Sequence, residues 1–285
     1  MVMQNNKFIS LRNPAAALFL AAVLLTGGCS QKEKEQQQPR PAATPQPPAA
    51  PALSPALDGT VWLLESLRGQ AAQTDKPVTL YFENGQAKGT AGCNSYFGPY
   101  VEEQAGQIHL KQVMLTKRFC QPPELMEQER RFAEALKAAA SFTLTGGRLT
   151  LQDRAGRAAA VFKAQSQELR GTMWQAVSCS DGLGGMKDVV RQGRMLTAAF
   201  SADGLMSGSG GCNSYQARCD APSASRSFSF EMITMETRQC PSELVMEQEG
   251  QFMAAFYTAL SFRVEGRTLT LFDIDGNPAV IFSKL

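Results

Sequence analysis

Short runs in which apolar and polar residues alternate occur at corresponding places in two halves of the chain. Residues 78–82 precede Glu-Asn-Gly, and residues 195–200 precede Ala-Asp-Gly. Each run is typical of a strand that ends in a tight turn. Residues 141–152 alternate around a central Gly-Gly pair, which predicts a hairpin, and residues 158–162 predict a closing strand.

Each half also contains one segment in which apolar residues recur at helical spacing. Pro122 and Pro123 suit the first turn of one helix, and Ser242 suits the N-cap of the other. One helix among about seven short, mostly antiparallel strands makes each half α+β. The residues expected near one helix face are Leu125, Phe132, Leu136 and Ala139 in the first half, and Leu244, Phe252, Phe256 and Ala259 in the second.

The two halves share residues as well as pattern. The two tryptophans, Trp62 and Trp174, each follow Gly-Thr-x, and Gly-Cys-Asn-Ser-Tyr occurs at residues 92–96 and 211–215. Met-Glu-Gln-Glu recurs at an offset of 120 residues. A period of this length indicates a duplicated domain. We predict one domain over residues 58–165 and a second over residues 168–285, each folding as its own globule.

The N-terminus predicts export. Lys7 and Arg12 precede an apolar run over residues 15–25, which is too short to span a bilayer and fits a signal peptide over residues 1–28. Residues 25–30, Leu-Thr-Gly-Gly-Cys-Ser, resemble the lipobox of bacterial lipoproteins, although Thr26 stands where an apolar residue is usual. This resemblance implies a lipid anchor on Cys29 and, with Ser30 next, the outer membrane, facing the periplasm. The alternative is an ordinary secretory signal, which would leave Cys29 as an exposed thiol.

Residues 29–57 carry the anchored cysteine and a segment rich in proline and glutamine. Residues 30–57 have seven of the fifteen prolines and no aromatic residue, so they cannot build a core. We expect a disordered tether that holds the folded domains away from the lipid surface.

Composition narrows the classes of function. The 28 Lys and Arg against 26 Asp and Glu give a net charge of +2, too small for a nucleic-acid binder. Loss of Lys7 and Arg12 with the signal peptide would leave no net charge. The single histidine, His109, excludes sites that need two imidazoles.

The order of motifs in each half is similar to the META domain family. The shared features are a Trp near the first strand, then Gly-x-x-Gly-Cys-Asn-Ser-Tyr, then a second Cys, an amphipathic helix and a hairpin. The resemblance covers about 220 residues. It implies a small antiparallel sheet curled around a helix, in exported or membrane-anchored proteins linked to stress tolerance, drug resistance or virulence, with no established enzyme activity and no cofactor.

With Cys29 lipidated, six cysteines remain, and six cysteines allow fifteen pairings. If equivalent positions pair alike, Cys93 joins Cys120, Cys212 joins Cys240, and Cys179 is left to join Cys219. Metal ligation is the alternative, but the chain has no Cys-x-x-Cys spacing and the predicted compartment is oxidising. We expect no metal site.

Several residue patterns have structural interpretations. We expect His109 on a solvent-facing strand, and Asn94 and Asn213 in glycine-rich turns where Asn tolerates left-handed backbone or bonds its own backbone. The glutamate pairs Glu127 with Glu129 and Glu247 with Glu249 are two residues apart, so neither pair shares a helix face, and we expect a solvated side. Residues 273–277 lack the ligands of a calcium loop and predict a hairpin turn, as do residues 153–156.

Residues 180–186 form an insert of the second half, expected to be constrained by the Cys179–Cys219 bridge. Loops held in this way often bind partners, so Asp181, Leu183 and Met186 are candidate contact residues.

Three hypotheses of function follow. The favoured one is a non-enzymatic envelope lipoprotein that binds or scaffolds another envelope component. The second is a protein that binds a small apolar molecule between the domains or inside the curled sheet. The third is a hydrolase that uses Ser95 or Ser214 with His109.

Overall fold

The computed structural model describes residues 57–73, 75–103, 106–190 and 192–285. The predicted signal peptide, Cys29 and the tether up to residue 56 lie outside the described residues. Leu57, which the sequence places at the end of the tether, is instead fully buried in the core of the first domain. No helix within the described ranges is both long and apolar enough to cross a membrane.

The first domain is an antiparallel sheet of ten strands with one helix. Helix α1 spans Pro123–Ala138. The main path of the sheet runs β6-β5-β4-β3-β1-β10-β9-β8, with β2 beside β1 and β7 beside β5. The strands are β1 (Val61–Leu67), β2 (Gln70–Ala71), β3 (Thr79–Glu83), β4 (Gln86–Thr90), β5 (Ser95–Glu102), β6 (Ile108–Leu110), β7 (Met114–Leu115), β8 (Ser141–Thr145), β9 (Arg148–Gln152) and β10 (Ala158–Ala164).

The second domain repeats this topology strand for strand. Helix α2 spans Glu243–Tyr257. The main path runs β16-β15-β14-β13-β11-β20-β19-β18, with β12 beside β11 and β17 beside β15. The strands are β11 (Thr172–Ser180), β12 (Met186–Asp188), β13 (Thr197–Phe200), β14 (Leu205–Ser209), β15 (Ser214–Asp220), β16 (Ser229–Phe230), β17 (Thr234–Met235), β18 (Ser261–Glu265), β19 (Thr268–Phe272) and β20 (Pro278–Lys284).

Each sheet curls until its two ends meet. In the first domain a bridge between Gln107 and Ser141 joins the start of β6 to β8, and in the second Ser227 and Ser261 form the equivalent bridge. The predicted fold class, two tandem α+β domains that are each a curled antiparallel sheet with one helix, is confirmed. Each domain has ten strands and not about seven. Strands of two residues, such as β2 and β7, are too short to show an alternation of apolar and polar residues in the sequence.

The helix of each domain packs its apolar side against the concave face of the sheet. Phe132 and Leu136 of α1, and Phe252 and Phe256 of α2, are almost completely buried. Burying a phenylalanine contributes roughly 1.5–3 kcal/mol. The remaining interior is filled by side chains from the strands, so each curled sheet encloses a packed core.

The predicted helix face is confirmed with one exception. Leu244 is wrong, because it is exposed and its neighbour Val245 is buried instead. Helix α2 begins at Glu243, and Val245 is the residue 120 positions after the buried Leu125. A shift of one residue rotates a side chain by about 100° around the helix, which moves Leu244 off the buried face. The predicted N-cap is present, since Ser242 Oγ accepts a bond from the backbone N–H of Val245 at 3.4 Å.

The repeated Gly-Thr-x-Trp motif fixes the start of each domain. Trp62 Nε1 donates to Thr60 Oγ1 at 2.7 Å, and Trp174 Nε1 makes the same bond to Thr172 at 2.7 Å. Both indole rings are buried, and a buried indole N–H needs an acceptor. The threonine therefore lets a large aromatic ring enter the core without an unpaired donor.

Two glutamines of the connection between the domains bind the outer edge of β18. Gln167 donates to the carbonyl oxygen of Val264 at 2.9 Å and accepts from its N–H at 2.8 Å, as a paired strand would. Gln165 accepts from the N–H of Gly266 at 3.2 Å. Backbone groups at the edge of a sheet would otherwise remain open to another strand.

Arg263 of β18 joins the two domains. Its guanidinium carbon lies 4.1 Å from the ring centroid of Tyr81 in β3, and its Nη1 lies 3.3 Å from Glu83 Oε1. Glu265 accepts a hydrogen bond from Thr79 Oγ1 beside it. Burial raises the pKa of Tyr81 to about 12 and also raises that of Glu265. The two domains therefore meet through a small polar and cationic contact.

The six cysteines of the domains are not all paired. Disulfides join Cys93 to Cys120 and Cys212 to Cys240, with Cα atoms 5.9 Å and 6.1 Å apart. The predicted bridge between Cys179 and Cys219 is wrong, because both residues are free thiols.

The strand register explains why this third bridge does not form. Arg218, which precedes Cys219, is opposite Leu205 of β14. Strand β13 lies between β14 and β11, and its Phe200 is opposite Thr172, so Cys219 lies near the Thr172 end of β11. Cys179 lies seven residues further along β11 than Thr172, which is about 23 Å at 3.3 Å per residue. A disulfide needs Cα atoms within about 7 Å.

We therefore predict two free thiols in the folded domains. Denaturation without reductant, followed by an alkylating reagent, should label Cys179 and Cys219 and leave the other four domain cysteines unlabelled. Peptide mass spectrometry identifies the labelled residues, and prior reduction is the control that should label all six. Failure to label Cys179 and Cys219 without reductant would contradict the register argument.

Candidate functional site

A buried carboxylate on helix α1 holds the Gly-Cys-Asn loop of the first domain. Glu129 is only 7% exposed. Its two carboxylate oxygens accept the backbone N–H of Asn94 at 2.8 Å and the Nδ2 amide of Asn94 at 2.9 Å. Asn94 Oδ1 in turn accepts from Thr116 Oγ1 at 2.8 Å and from the backbone N–H of Arg118 at 2.7 Å. The asparagine thus joins the loop, the helix and the segment that leads to Cys120.

The second domain repeats this cluster around Glu249, which is 4% exposed. Its carboxylate accepts the backbone N–H groups of Cys212 and Asn213, at 3.1 Å and 2.6 Å, and the side-chain amide of Asn213 at 2.7 Å. Asn213 Oδ1 accepts from the backbone N–H of Arg238 at 2.8 Å. The geometry is preserved although the loop sequences before the glycine differ.

The residue before each buried glutamate performs a related task. Gln128 Oε1 accepts from the backbone N–H of Gln73 at 2.7 Å, and Gln248 Oε1 accepts from that of Val190 at 2.5 Å. Each helix therefore uses adjacent polar residues to hold two different loops.

The glycines of the shared motif permit a close approach between strands. A Cβ on Gly89 would lie 2.3 Å from the carbonyl oxygen of Thr79, and one on Gly208 would lie 1.9 Å from that of Thr197. Those carbonyls accept hydrogen bonds from Tyr96 and Tyr215, each at 2.7 Å. Only glycine leaves room for this arrangement.

The structure corrects two sequence interpretations. Glu129 and Glu249 are buried acceptors and not part of a solvated helix side, which holds only for Glu127 and Glu247. Asn94 and Asn213 do not have positive φ, and their side chains hydrogen-bond to the buried glutamates and to other groups 22 or more positions away, and not to their own backbone. The one feature of the sequence that could have indicated this buried role is the repetition of Met-Glu-Gln-Glu in both halves.

The pairing of a serine with His109 has no geometric basis. His109 lies opposite Val101, and Ser95 lies six residues earlier on the same strand, about 20 Å away. Ser214 belongs to the other domain. The nearest carboxylate oxygen to His109 Nε2 is that of Glu103, at 3.8 Å. His109 lies on strand β6 with its side chain partly exposed, in line with the sequence interpretation.

The turns at residues 153–157 and 273–277 are closed by their own aspartates. Asp153 Oδ1 accepts from the N–H groups of Ala155 and Arg157, at 2.9 Å and 3.1 Å. Asp273 Oδ1 accepts from Asp275 and Asn277 at 3.0 Å and 2.8 Å. The predicted hairpin turns are confirmed. Among the described residues, no three His, Cys, Asp or Glu side chains gather as metal ligands.

The insert of the second domain forms a tight hairpin loop between β11 and β12. Asp181 Oδ1 accepts the N–H groups of Leu183 and Gly185 at 2.8 Å and 2.9 Å, and these bonds lower the pKa of its carboxyl group. Ser180 pairs with Met186 at the base of the loop. Internal hydrogen bonds, and not the predicted disulfide, therefore constrain the loop, and they leave Leu183 91% exposed at its tip.

Sequence comparison places these features in a family. A sequence model described as META domain matches residues 55–166 and again residues 167–284. The chain belongs to the META domain family. Heat shock protein HslJ from Escherichia coli strain K12 is 29% identical to this META protein over 136 residues, which are 47% of this chain and 86% of HslJ.

Solved structures similar to this META protein each match about one domain. A protein solved by NMR has 28% identity and a TM-score of 0.32, over 38% of this chain and 90% of its own. An NMR structure of a protein from Burkholderia xenovorans has 22% identity and a TM-score of 0.32, over 43% and 99%. A crystal structure of a duf4847 family protein from Bacteroides vulgatus has 16% identity and a TM-score of 0.28, over 40% and 93%.

We predict that the buried glutamate is essential to the stability of its domain. Glu129→Ala leaves the two donors of Asn94 buried and unpaired, which should cost about 2–4 kcal/mol of unfolding free energy. Glu127→Ala, two residues away and exposed, removes only a surface ion pair with Arg130 and should cost less than about 0.5 kcal/mol. Urea denaturation followed by circular dichroism measures both. Equal effects of the two substitutions would contradict the structural role.

Proposed function

We propose that this META protein is a non-enzymatic lipoprotein of the bacterial cell envelope whose two domains bind or scaffold another envelope component. Membership of the META family and the similarity to a heat-shock protein support a link to envelope stress. The exposed, internally braced loop around Leu183 is the observation that carries the binding role.

The polar residues that both domains share support a role without catalysis. Asn94 and Glu129, like Asn213 and Glu249, hydrogen-bond to each other and to backbone groups of the same domain. A catalytic carboxylate must be able to reach a substrate, whereas these are enclosed. The presence of the same asparagine and glutamate in both domains is explained by their role in stabilising the fold.

The packed interior disfavours the second hypothesis, a small apolar molecule inside the curled sheet. Large side chains that are almost completely buried occupy that space in both domains, among them Phe82, Phe162, Phe228 and Phe282. Apolar ligand sites are usually preformed cavities of about 300–1,000 Å³. A partner that docks on the outside fits this architecture better.

The loop of the second domain is the surface that we assign to the partner. Asp181 fixes the backbone, so Leu183 is presented without the entropy cost of ordering a flexible loop on binding. Met186 and Val177 add exposed apolar surface near its base. The corresponding connection in the first domain is the short turn at Arg68 and Gly69 between β1 and β2, so the loop belongs to the second domain alone.

The anchor is assigned from the sequence around Cys29. A lipid on this residue would hold the protein at the outer membrane, facing the periplasm, and the proline-rich tether would set its reach. The Cys93–Cys120 and Cys212–Cys240 disulfides fit an oxidising compartment.

Leu183→Asp should weaken capture of the envelope partner at least fivefold in crosslinking and pull-down from cells that express the full chain. Met232→Asp is the matched control, because Met232 is 89% exposed in the same domain but lies outside the loop. An unchanged captured set for both Leu183→Asp and a deletion of residues 180–186 would refute the partner loop. Circular dichroism of the purified variants checks that each is folded.

Cys29→Ser should move the protein from the detergent phase to the aqueous phase in a phase-separation assay of cell extracts, because the acyl chains are lost. Cys179→Ser keeps the anchor and should stay in the detergent phase. Retention of Cys29→Ser in the detergent phase would show that another segment binds the membrane.

A further inference from the structure

The first domain has an open groove of about 670 Å³ at the C-terminal end of helix α1. It is lined by His109 and by four Lys or Arg residues, of which Arg157 is paired with Asp153. The other three Lys and Arg residues come from three different elements. Lys111 follows β6, Lys137 lies in the last turn of α1, and Arg154 lies in the turn between β9 and β10. The floor is formed by Leu110 and by the short side chains of residues 138–140.

The acidic residues of this groove are already occupied. Glu134 forms an ion pair with Arg130, and Asp153 Oδ2 lies 2.9 Å from Arg157. The hydrogen bond from Arg157 is the main reason that the pKa of Asp153 is lowered, which keeps this carboxyl group charged and paired. In contrast, Lys111, Lys137 and Arg154 have no carboxylate oxygen within 4 Å in the part of the chain that the structure describes.

The second domain provides an internal comparison at the same place in the fold. The residues 120 positions after the three cations are Glu231, Tyr257 and Ile274, so every cation is replaced by an acidic or apolar residue. Phe230 packs against Tyr257 with ring centroids 5.7 Å apart, where the first domain has Leu110 and Lys137. The fold therefore does not require basic residues here.

Folding energetics account for only part of this basic groove. Lys137 interacts favourably with the negative end of the helix dipole. Lys111 and Arg154 are not part of the helix, and exposed cations that converge from three elements repel one another unless an anion lies between them.

We propose that this groove binds a phosphate-bearing anion. A phosphate group carries up to two charges and several acceptor oxygens, which suits two lysines and an arginine placed around one space. The volume matches sites for a single small ligand, and the apolar floor would accommodate the carbon skeleton that carries the phosphate. The ligand is either a soluble phosphate compound or the headgroup of a membrane lipid. This inference does not depend on the partner loop.

Two probes distinguish these sources. The full chain with Cys29→Ser, which removes the predicted anchor, is titrated with pyrophosphate by isothermal calorimetry. The same protein is sedimented with vesicles of phosphatidylcholine that contain about 30% phosphatidylglycerol, an anionic lipid, and with vesicles of phosphatidylcholine alone as the uncharged control.

The variant Lys111→Ala/Lys137→Ala/Arg154→Ala tests the groove. Its matched control is Lys76→Ala/Arg170→Ala/Arg218→Ala, which removes the same charge from exposed residues outside the groove. For whichever of the two probes the parent protein binds, we expect the groove variant to bind at least tenfold more weakly than the parent. The affinity of the control variant should differ from that of the parent by less than twofold. All substituted positions are exposed, so both proteins should fold, and circular dichroism checks this.

Loss of pyrophosphate binding in the groove variant alone would identify a soluble ligand. Loss of sedimentation with the anionic vesicles in that variant alone would identify a headgroup. The proposal is overturned if the parent binds neither probe, or if the two triple variants lose binding equally, which would indicate a general effect of net charge.

Discussion

A carboxylate placed inside each domain is the constraint on which the rest of the architecture depends. Burial of a charged group is costly unless hydrogen bonds replace its water, and Glu129 and Glu249 receive those bonds from the loop that carries the first cysteine of each disulfide. The helix cannot move from the sheet without breaking them. The position of the helix, the shape of the Gly-Cys-Asn loop and the pairing of the cysteines are consequently linked.

The disulfide and the buried carboxylate stabilise the same region by different means. Cys93 and Cys120 close a segment of 27 residues, which in a chain-entropy model is worth roughly 3–4 kcal/mol through the unfolded state. The Glu129 cluster acts in the folded state, on the residue next to Cys93. The disulfide thus destabilises the unfolded state while the buried carboxylate cluster stabilises the folded state. Because these interior features hold the domain together, the outer surfaces of the two copies can differ, as they do.

The sequence predicted much of the fold because two copies could be compared. The helix, the hairpins and the Ser242 cap follow from local spacing and from residues that act on their neighbours. The buried role of Glu129 was missed because its partner Asn94 is 35 positions away, and burial of a carboxylate depends on that contact. Cys179 and Cys219 were predicted to pair because they were the two cysteines left over. The distance between them depends on the strand register, which the sequence does not reveal. Val245 and not Leu244 lies on the buried face of α2, because a shift of one position moves a residue to another face of a helix.

The contact of Gln165 and Gln167 with β18 has a consequence for assembly. An open strand edge normally pairs with another molecule at a rate that rises with protein concentration. Here the covalent connection supplies the competing donors and acceptors within the same chain, at an effective concentration on the order of millimolar for a short linker. The connection between the domains has thereby converted this stretch of strand edge into an intramolecular contact, which closes it to a strand from a second molecule.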